Sequence, residues 1–237
     1  MIRSLRFPCG PIAVAAETYD VHCRRCPRLA QFLDDVLAVH PDYFCRPVPP
    51  FGDMGAHLVI VGLAPGMHGA NASGRPFTGD YAGILLYETL YKFGYASQSR
   101  STGAGDSLVL IDARITNAVK CLPPANKPLP AEVRTCNAYL AAELATLPER
   151  AAILALGRVA HDAVLRALGL APGVHRFAHG AEHRLPRRDS QDAARLFDCY
   201  HCSRYNTNTG RLTVPMFERV FAAIARYREQ AAAAQHA

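Results

Sequence analysis

The alternation of short apolar runs with longer segments of helical periodicity constrains the fold of this chain most strongly. Four apolar runs are typical of buried strands, at residues 56–63, 114–119, 151–156 and 196–200. Each is followed by a segment with apolar residues at helical spacing, at residues 82–93, 130–147, 158–168 and 214–228. This order is typical of a parallel sheet with helices on both faces. The sequence therefore predicts an α/β fold, a three-layer α/β/α arrangement around a central, mostly parallel four-stranded sheet.

The length of the chain predicts a single domain spanning residues 1–237. Half of the 237 residues are hydrophobic, which is enough for one large core. The sequence contains no run of about 18 apolar residues, and Pro8, Gly10 and Pro11 interrupt the N-terminal segment. We therefore expect neither a membrane span nor a signal peptide. A chain this long does not need its eight cysteines as disulfides, and C-x-x-C more often indicates metal or redox chemistry, so we expect the reducing cytoplasm. We also expect a monomer.

Two pairs of cysteines offer four thiolates to a metal. Cys23 and Cys26 form a C-x-x-C pair, and Cys121 and Cys136 form a looser pair near the middle of the chain. Four thiolates suit either zinc or an iron–sulfur cluster. Ordinary thiols or a redox pair fit the same pattern, so the cysteines alone leave these interpretations open.

Three polar segments follow predicted strands, at the edge where parallel sheets bind their ligands. The first, residues 62–80, is rich in glycine but matches neither a Walker A loop nor G-x-G-x-x-G. The second contains Asn117, whose amide can read the edge of a nucleobase or simply form a turn. The third, residues 200–213, contains His201 and two arginines, and suits a helix cap or a contact with DNA phosphates. A formal net charge of +6 favours polyanionic ligands such as nucleic acid.

Three histidines at helical spacing form a further candidate metal site. His175, His179 and His183 would line one face of a helix and could bind zinc there. Gly180 and Pro186 lie in the same stretch and argue against a continuous helix. We therefore do not predict a metal site on this trio.

The three polar segments, taken in order, resemble motifs of a known enzyme family. Their sequences are GLAPGMHG continuing to GRPFTGD, then TNAVKC, then YHCSRYNTNTGRLT. Together with the four cysteines they resemble the iron–sulfur uracil-DNA glycosylases of family 5, also called type b. The resemblance extends from about Cys23 to the last predicted helix and so covers most of the chain.

Two positions refine this resemblance. The related family 4 enzymes carry an acidic residue just after the first glycine of their first motif, where this chain has Leu63. Family 5 is therefore the better match. One departure is Cys202, which stands where the family usually has proline after its histidine.

The resemblance implies an enzyme of DNA repair with a bound cofactor. Such an enzyme flips a deaminated base out of double- or single-stranded DNA and hydrolyses its glycosidic bond, leaving an abasic site. It implies action on uracil and also on hypoxanthine and xanthine. It further implies a structural 4Fe-4S cluster that ties residues 23–26 to residues 121–136. The implied ligands are Cys23, Cys26, Cys121 and Cys136.

The resemblance also implies catalytic roles. Phe77 would stack on the flipped base from a polar loop, where we do not expect it to be deeply buried, and Asn117 would read the polar edge of the base. His201 would donate a hydrogen bond to the base oxygen that gains negative charge as the bond breaks. Asp80 would orient the water, unless it serves only as a helix N-cap, and His68 would provide a second polar contact.

Two small residues suggest a broad pocket, and four further residues suggest a DNA contact. The family 1 uracil enzymes carry aspartate where this chain has Ala64 and tyrosine where it has Gly66. Without that tyrosine, which blocks the methyl group of thymine, we expect a less strict pocket.

The DNA-binding residues implied by the third motif include a leucine wedge and its neighbouring arginine. They are Arg204, Asn208, Arg211 and Leu212.

Two rival functions remain open at this point. One is a nucleic-acid-binding iron–sulfur protein that has this fold but no catalytic activity. The other is a zinc-stabilised α/β hydrolase that acts on a different substrate. Release of uracil from DNA separates the first rival from an enzyme, and a broad visible absorption band separates an iron–sulfur cluster from zinc.

Overall fold

A computed structural model describes residues 18–187 and 190–233, which fold around one six-stranded sheet. In chain order the strands are β1 (Phe51–Gly52), β2 (Leu58–Gly62), β3 (Ala113–Asn117), β4 (Ala152–Leu156), β5 (Glu182–Arg187) and β6 (Ser190–Cys199). The helices are α1 (Pro27–Val39), α2 (Ala70–Ser73), α3 (Tyr81–Lys92), α4 (Pro130–Ala145), α5 (Arg158–Ala167), α6 (Arg204–Asn208) and α7 (Val214–Ala233). The spatial order of the strands is β1-β3-β2-β4-β6-β5.

The four central strands confirm the predicted parallel sheet. Neighbouring strands β3, β2, β4 and β6 all pair in parallel, whereas β1 and β5 add antiparallel edges. Sequence patterns missed both edges. Strand β1 has only two residues, and β5 reads EHRLPR, a polar run with a proline of the kind that edge strands tolerate.

The sheet is covered by helices on both faces, which confirms the three-layer arrangement. Successive side chains of a strand point to opposite faces. On β2, Leu58 and Ile60 pack into one core with α3 and α7, while Val59 and Val61 pack into a second core with α4 and α5. No helix in the described residues is long and apolar enough to cross a membrane.

The register of the sheet aligns the ends of the four central strands. Gly62 at the end of β2 lies beside Asn117 at the end of β3, and Leu156 at the end of β4 lies beside Cys199 at the end of β6. The segments that follow these strands therefore emerge at one edge of the sheet. This edge is where we expected the three polar segments to meet.

Helix α1 packs beside α4 and places the N-terminal cysteines close to the pair from the middle of the sequence. Cys26 immediately precedes α1, and Pro27 occupies its first turn, where proline suits helix geometry. The guanidinium of Arg28 donates two hydrogen bonds of 2.7 Å to the carboxylate of Glu132 in α4. This ion pair joins α1 to the helix that contains Cys136.

Candidate active site

A cavity of about 520 Å³ lies where the four central strands end. This volume lies within the range of small-molecule sites. The structure brings seven of the predicted site residues together in its lining. They are Ala64, Gly66, Phe77, Asp80, Asn117, His201 and Arg204.

Asp80 occupies the N-cap position of α3, yet its carboxylate makes no capping hydrogen bond. The side chain turns back towards the glycine-rich segment, where the backbone N–H of Ala70 donates to Oδ2 at 3.2 Å. A Cβ placed on Gly66 would lie 2.4 Å from Asp80 Oδ1, and one on Gly69 would lie 2.0 Å from Asp80 Cγ. Both positions therefore require glycine, because the carboxylate fills the space that a side chain would occupy.

The surroundings of Asp80 favour a carboxylate that can accept a proton. Burial raises the pKa of Asp80, while hydrogen bonds from the backbone of Ala70 and Gly66 and the nearby His68 partly oppose that rise. A raised carboxyl pKa lies closer to neutral pH, which is where a general base works best.

Phe77 is held in a strained backbone conformation at the base of the cavity. Its φ of 57° lies in the left-handed region, which a residue with a bulky side chain rarely adopts. A Cβ on Gly62 would lie 2.7 Å from Phe77 Cζ, and one on Gly83 would lie 1.7 Å from the Phe77 carbonyl oxygen. Phe77 is only 7 % exposed, so our expectation that it would not be deeply buried is wrong. Strain of this kind is common where a loop must present a side chain to a ligand.

A buried ion pair braces the loop that carries Phe77. Arg75 pairs with Asp106 and donates to the carbonyl oxygen of Ala104 at 2.8 Å and to Ser101 Oγ at 3.0 Å. From the other side, the hydroxyl of Tyr87 donates to the carbonyl oxygen of Pro76 at 2.8 Å. The loop is thus fixed to the segment around residue 104 and to α3.

Asn117 presents a buried acceptor that has no partner in the protein. The residue is 3 % exposed, and its Oδ1 makes no hydrogen bond. Its backbone carbonyl accepts from Lys120 Nζ at 3.1 Å, and that ammonium also donates to Glu143 Oε1 at 2.6 Å. The backbone of Asn117 is therefore anchored while its side chain lines the cavity. A buried amide oxygen without a partner is costly unless a ligand supplies the donor.

His201 lies beside Phe77 and is neutral at physiological pH. The two rings are 6.1 Å apart between centroids and inclined by 24°. Burial lowers the pKa of His201 to about 4. The carbonyl of His201 accepts from Asn206 Nδ2 at 2.8 Å, which fixes the start of the loop that follows β6. Cys202, which replaces the family's proline, is fully buried in the core next to this loop.

The remaining predicted contacts lie outside the base of the cavity. His68 is exposed and its Nδ1 lies 3.0 Å from the hydroxyl of Tyr43, and the cavity lining does not include it. Arg204, Asn208 and Arg211 are exposed in or just after α6. Of these three, Arg204 also lines the cavity, and Asn208 and Arg211 extend the exposed polar surface beyond it along the chain.

The structure contradicts the predicted role of Leu212 as a wedge that fills the DNA base stack. Its side chain is 1 % exposed and belongs to the core that includes Phe217 and Phe221 of α7. The backbone N–H of Leu212 also donates to the carbonyl oxygen of Asn206 at 2.9 Å. Leu212 therefore anchors the loop to the core, and only its neighbour Arg211 faces solvent.

Several cavity residues escaped the sequence analysis. Tyr81 and Arg158 line the cavity directly after Asp80 and after Gly157, and Asn126 approaches it with a left-handed φ of 54°. Arg158 follows the end of β4, so the rule that ligands bind at strand ends could have found it. Asn126 carries no comparable signal, because its segment follows no strand directly.

The four predicted metal-binding cysteines lie together in a cleft next to the segment that follows Asn117. Cys23 and Cys26 are half-buried, Cys121 and Cys136 are buried, and all four line one small cleft. Burial and the neighbouring thiols raise the pKa of Cys26 to about 11, and the same two causes raise the pKa of Cys121. Four thiolates this close repel one another unless a cation lies among them, so the donor set fits a metal centre.

The histidine trio does not form a helix, as the glycine and proline positions predicted. His175 and His179 lie in the connection that precedes β5, and His183 lies within β5. His179 stacks on Tyr200 with ring centroids 5.0 Å apart.

Comparisons with known proteins agree with these motifs. The family model for the uracil DNA glycosylase superfamily matches residues 49–225. A type-5 uracil-DNA glycosylase from Thermus thermophilus is 45 % identical over 203 residues, which cover 84 % of this chain and 90 % of the relative. A type-5 enzyme from Pyrobaculum aerophilum is 39 % identical over 206 residues, covering 84 % and 86 %. A type-4 uracil-DNA glycosylase from the same organism is 37 % identical over 123 residues, covering 52 % and 55 %.

Proposed function

Because this chain belongs to the type-5 branch of the uracil DNA glycosylase superfamily, we propose that its cavity receives a nucleotide flipped out of DNA. The protein is a DNA glycosylase of DNA repair that excises uracil. The finer assignment of residues to steps is our proposal and follows from the contacts around the cavity.

The unpartnered oxygen of Asn117 carries this proposal. Uracil presents a ring N–H beside a carbonyl oxygen, and an amide matches that pair with one acceptor and one donor. The buried Oδ1 of Asn117 would accept from the ring N–H. Cytosine offers a ring nitrogen acceptor there instead, so two acceptors would face each other. This arrangement selects a deaminated base over the base from which it arose.

Neutral His201 would stabilise the base as it leaves. Since burial keeps the imidazole neutral, one ring nitrogen retains its hydrogen and can donate it to the base oxygen. As the glycosidic bond breaks, its electron pair moves onto the base and this hydrogen bond strengthens. Phe77 would stack on the base and hold it in line with both polar groups.

Asp80 would hold the water that attacks the sugar. In the hydrolysis the glycosidic bond breaks with its electron pair on the base, the water oxygen forms a bond to C1′, and one water proton passes to the Asp80 carboxylate. The departing base anion takes a proton from solvent, and Asp80 later returns its proton to solvent. The raised pKa of Asp80 suits it to accept that proton, and the backbone contacts of Ala70 and Gly66 fix its position.

The breadth of the base pocket follows from what its lining lacks. Gly66 and Ala64 place no large side chain in the cavity, and its volume is about 520 Å³. Hypoxanthine and xanthine share the ring N–H and carbonyl pair of uracil, so Asn117 can read them in the same way. We propose that the enzyme also removes these two deaminated purines.

The exposed loop after β6 would contact the DNA backbone. Arg204 lines the cavity and Asn208 and Arg211 are exposed in the same loop, so all three can offer donors to phosphate oxygens in double- or single-stranded DNA. We propose that the protein acts on DNA as a monomer.

The cysteine site supports a 4Fe-4S cluster as the resident cofactor. All four thiols line one small cleft, and the iron–sulfur branch that the motifs resemble uses four such thiolates to hold its cluster. When bound, such a cluster would supply a structural cross-link between the start of α1 and the segment that includes Asn117.

The cluster proposal is tested by iron content and colour. Protein purified without oxygen should be yellow-brown with about four irons per chain. Cys121→Ala should bleach it, whereas Cys45→Ala removes a buried thiol outside the site and should leave the iron in place. A colourless protein that retains one tightly bound zinc would overturn the iron–sulfur assignment.

The function is tested by single-turnover excision from duplexes that carry uracil, hypoxanthine, xanthine or thymine. Wild type should release uracil, and Asn117→Ala should slow release about 100-fold, the usual cost of one such polar contact. Asn137→Ala alters another buried amide, which donates to the carbonyl of Ala163, and serves as the control for general destabilisation. Binding of uracil-containing DNA without any base release would favour the non-catalytic rival.

A further inference from the structure

A second cluster of metal-ligating side chains lies outside both the catalytic cavity and the cysteine site. It consists of His161 in α5, His183 in β5 and Asp198 in β6, whose ligand atoms all lie within 4.8 Å of one another. His161 and Asp198 are fully buried, and the side chain of His183 is 12 % exposed. The trio of histidines considered from the sequence shares only His183 with it.

The hydrogen-bond partners of His161 cannot be satisfied by a neutral imidazole. Its Nδ1 lies 2.7 Å from Asp198 Oδ1, and its Nε2 lies 3.0 Å from the carbonyl oxygen of His175. A carboxylate and a carbonyl both only accept hydrogen bonds, whereas a neutral imidazole carries one N–H. Either a second proton or a metal cation must therefore lie between Nδ1 and the carboxylate.

We propose that this cation is a zinc ion held by His161 Nδ1, His183 Nε2 and the Asp198 carboxylate. Two imidazoles and a carboxylate are a common zinc donor set. A ligating histidine usually donates its other N–H to a backbone carbonyl, which is what His161 Nε2 finds at His175. Asp198 Oδ2, which lies 3.0 Å from His183 Nε2, also accepts from the backbone N–H of Ala178 at 3.3 Å, so the carboxylate is held in place.

The spacing of the ligand atoms is close to what zinc requires. Two ligands about 2.0–2.1 Å from one zinc ion lie about 3.0–3.4 Å apart. His161 Nδ1 lies 2.7 Å from Asp198 Oδ1, and His183 Nε2 lies 3.0 Å from the other oxygen, Oδ2. Each imidazole thus faces its own carboxylate oxygen, and neither pair needs to open by more than about 0.7 Å to reach the zinc spacing. The ring of His175 is half-exposed and lies 4.9 Å from that of His183 between centroids, so it can serve as a fourth ligand or leave that position to water.

Zinc at this site would fasten a long connection to the catalytic side of the sheet. His175 and His183 flank the turn into β5, and Asp198 lies three residues before His201. The ion would therefore hold the segment before β5 against the end of β6, independently of the cysteines.

The test measures zinc and iron per chain in full-length protein equilibrated with zinc sulfate and then desalted. Wild type should retain about one zinc in addition to its iron, and zinc should raise its thermal midpoint by about 5 °C. His183→Ala should abolish both effects and leave the iron content unchanged. His183→Gln gives the same comparison with a polar side chain of similar length if the alanine variant is unstable.

His57→Ala is the matched control. His57 Nδ1 pairs with Asp112 Oδ1 at 2.8 Å on the surface, but this pair does not belong to a group of three potential ligands within the described residues. The variant should bind zinc like wild type. If wild type retains no zinc, or if His183→Ala retains as much as wild type, the zinc site is excluded, and a buried imidazolium joins His161 to Asp198 instead.

Discussion

The loop after β2 and the loop after β6 meet at the same cavity but are built in opposite ways. In the first, residues 62–80, Arg75, Phe77 and Thr78 are buried, and the backbone is held by ion pairs and hydrogen bonds. In the second, residues 200–213, most side chains are exposed after the half-buried His201 and the buried Cys202. The first loop is therefore mostly buried, whereas the second is anchored in the core by Cys202 and Leu212 but exposes most of its other side chains.

This difference separates two tasks of a DNA glycosylase. Stabilising a transition state requires groups that are fixed before the reaction, since reorganisation costs free energy. Contacting phosphates requires accessible side chains that can follow the DNA. We therefore expect substitutions in the first loop to reduce the rate of excision and substitutions in the exposed part of the second loop to reduce affinity.

The largest expected effect is that of Asp80→Asn on excision. The variant keeps the shape of the side chain but cannot accept a proton, so excision of uracil should slow by roughly 10²–10⁴-fold. Affinity for uracil-containing DNA should stay the same. The penalty should be smaller for hypoxanthine, because a purine can be protonated before it leaves. An unaltered rate would show that Asp80 only orders the loop.

His201→Ala should come next, because His201 lines the cavity at the start of the more exposed loop. Loss of one donor to the leaving base should slow excision by about 10²–10³-fold.

The pH dependence of the free energy of unfolding tests the charge of His201. Because its pKa is lowered to about 4, His201 becomes protonated at a lower pH in the folded protein than in the unfolded chain. As the pH falls from about 6 to about 4.5, the free energy of unfolding of wild type should therefore decrease by up to about 1.4 kcal/mol per pH unit more than that of His201→Gln. Parallel profiles would contradict a neutral buried imidazole.

Asp106→Asn should reduce stability, because it breaks the ion pair that braces the first loop. Although burial raises the pKa of Asp106, hydrogen bonds from Arg75 and nearby backbone N–H groups lower it well below its usual value. Its contribution is therefore present above about pH 4 and is lost as the pH falls further. At neutral pH the variant should be less stable by about 3 kcal/mol in urea unfolding.

The control for this prediction is Asp34→Asn, which breaks the surface pair between Asp34 and Arg24. Both of its side chains are largely exposed, so its unfolding midpoint should stay close to that of wild type. Equal effects of the two substitutions would show that the first loop is no more dependent on its ion pair than the surface is.

Arg211→Ala should have the smallest effect, and it should appear in binding. Loss of one phosphate contact should weaken binding of duplex DNA several-fold. The slope of the logarithm of the binding constant against the logarithm of the salt concentration should become shallower by about one. Excision by saturating enzyme should be unchanged. Weakening that is equal for duplex and single strands would exclude a role in refilling the base stack.

The position of the site could be predicted from the sequence, because strand ends can be recognised and parallel strands end at one edge. Asn117 followed from that rule. Asp80, Phe77 and His201 followed from the resemblance of their motifs, and the structure places all four in one cavity. The requirement for glycine at residue 66 has a further cause that the motif did not reveal, namely the Asp80 carboxylate against its Cα.

Side-chain direction and distant pairing could not be predicted. Leu212 belongs to a polar motif, yet whether it points to DNA or to the core depends on how the loop joins α7. His161 and Asp198 lie 37 residues apart and pair only because α5 packs on the sheet beside β6. The two edge strands were missed for a similar reason, since β1 has only two residues and the polar β5 is defined as a strand by its pairing with β6.

The most direct test of the separation between the two loops measures excision and binding on the same uracil duplex. Single-turnover rates and dissociation constants would be compared for wild type, Asp80→Asn and Arg211→Ala, with a 2′-fluorinated deoxyuridine that resists cleavage in the binding arm. Asp80→Asn should lose at least about 100-fold in rate and keep wild-type affinity, while Arg211→Ala should keep the rate and lose affinity. If Asp80→Asn excises uracil at the wild-type rate, or if both variants change rate and affinity in proportion, the account is contradicted.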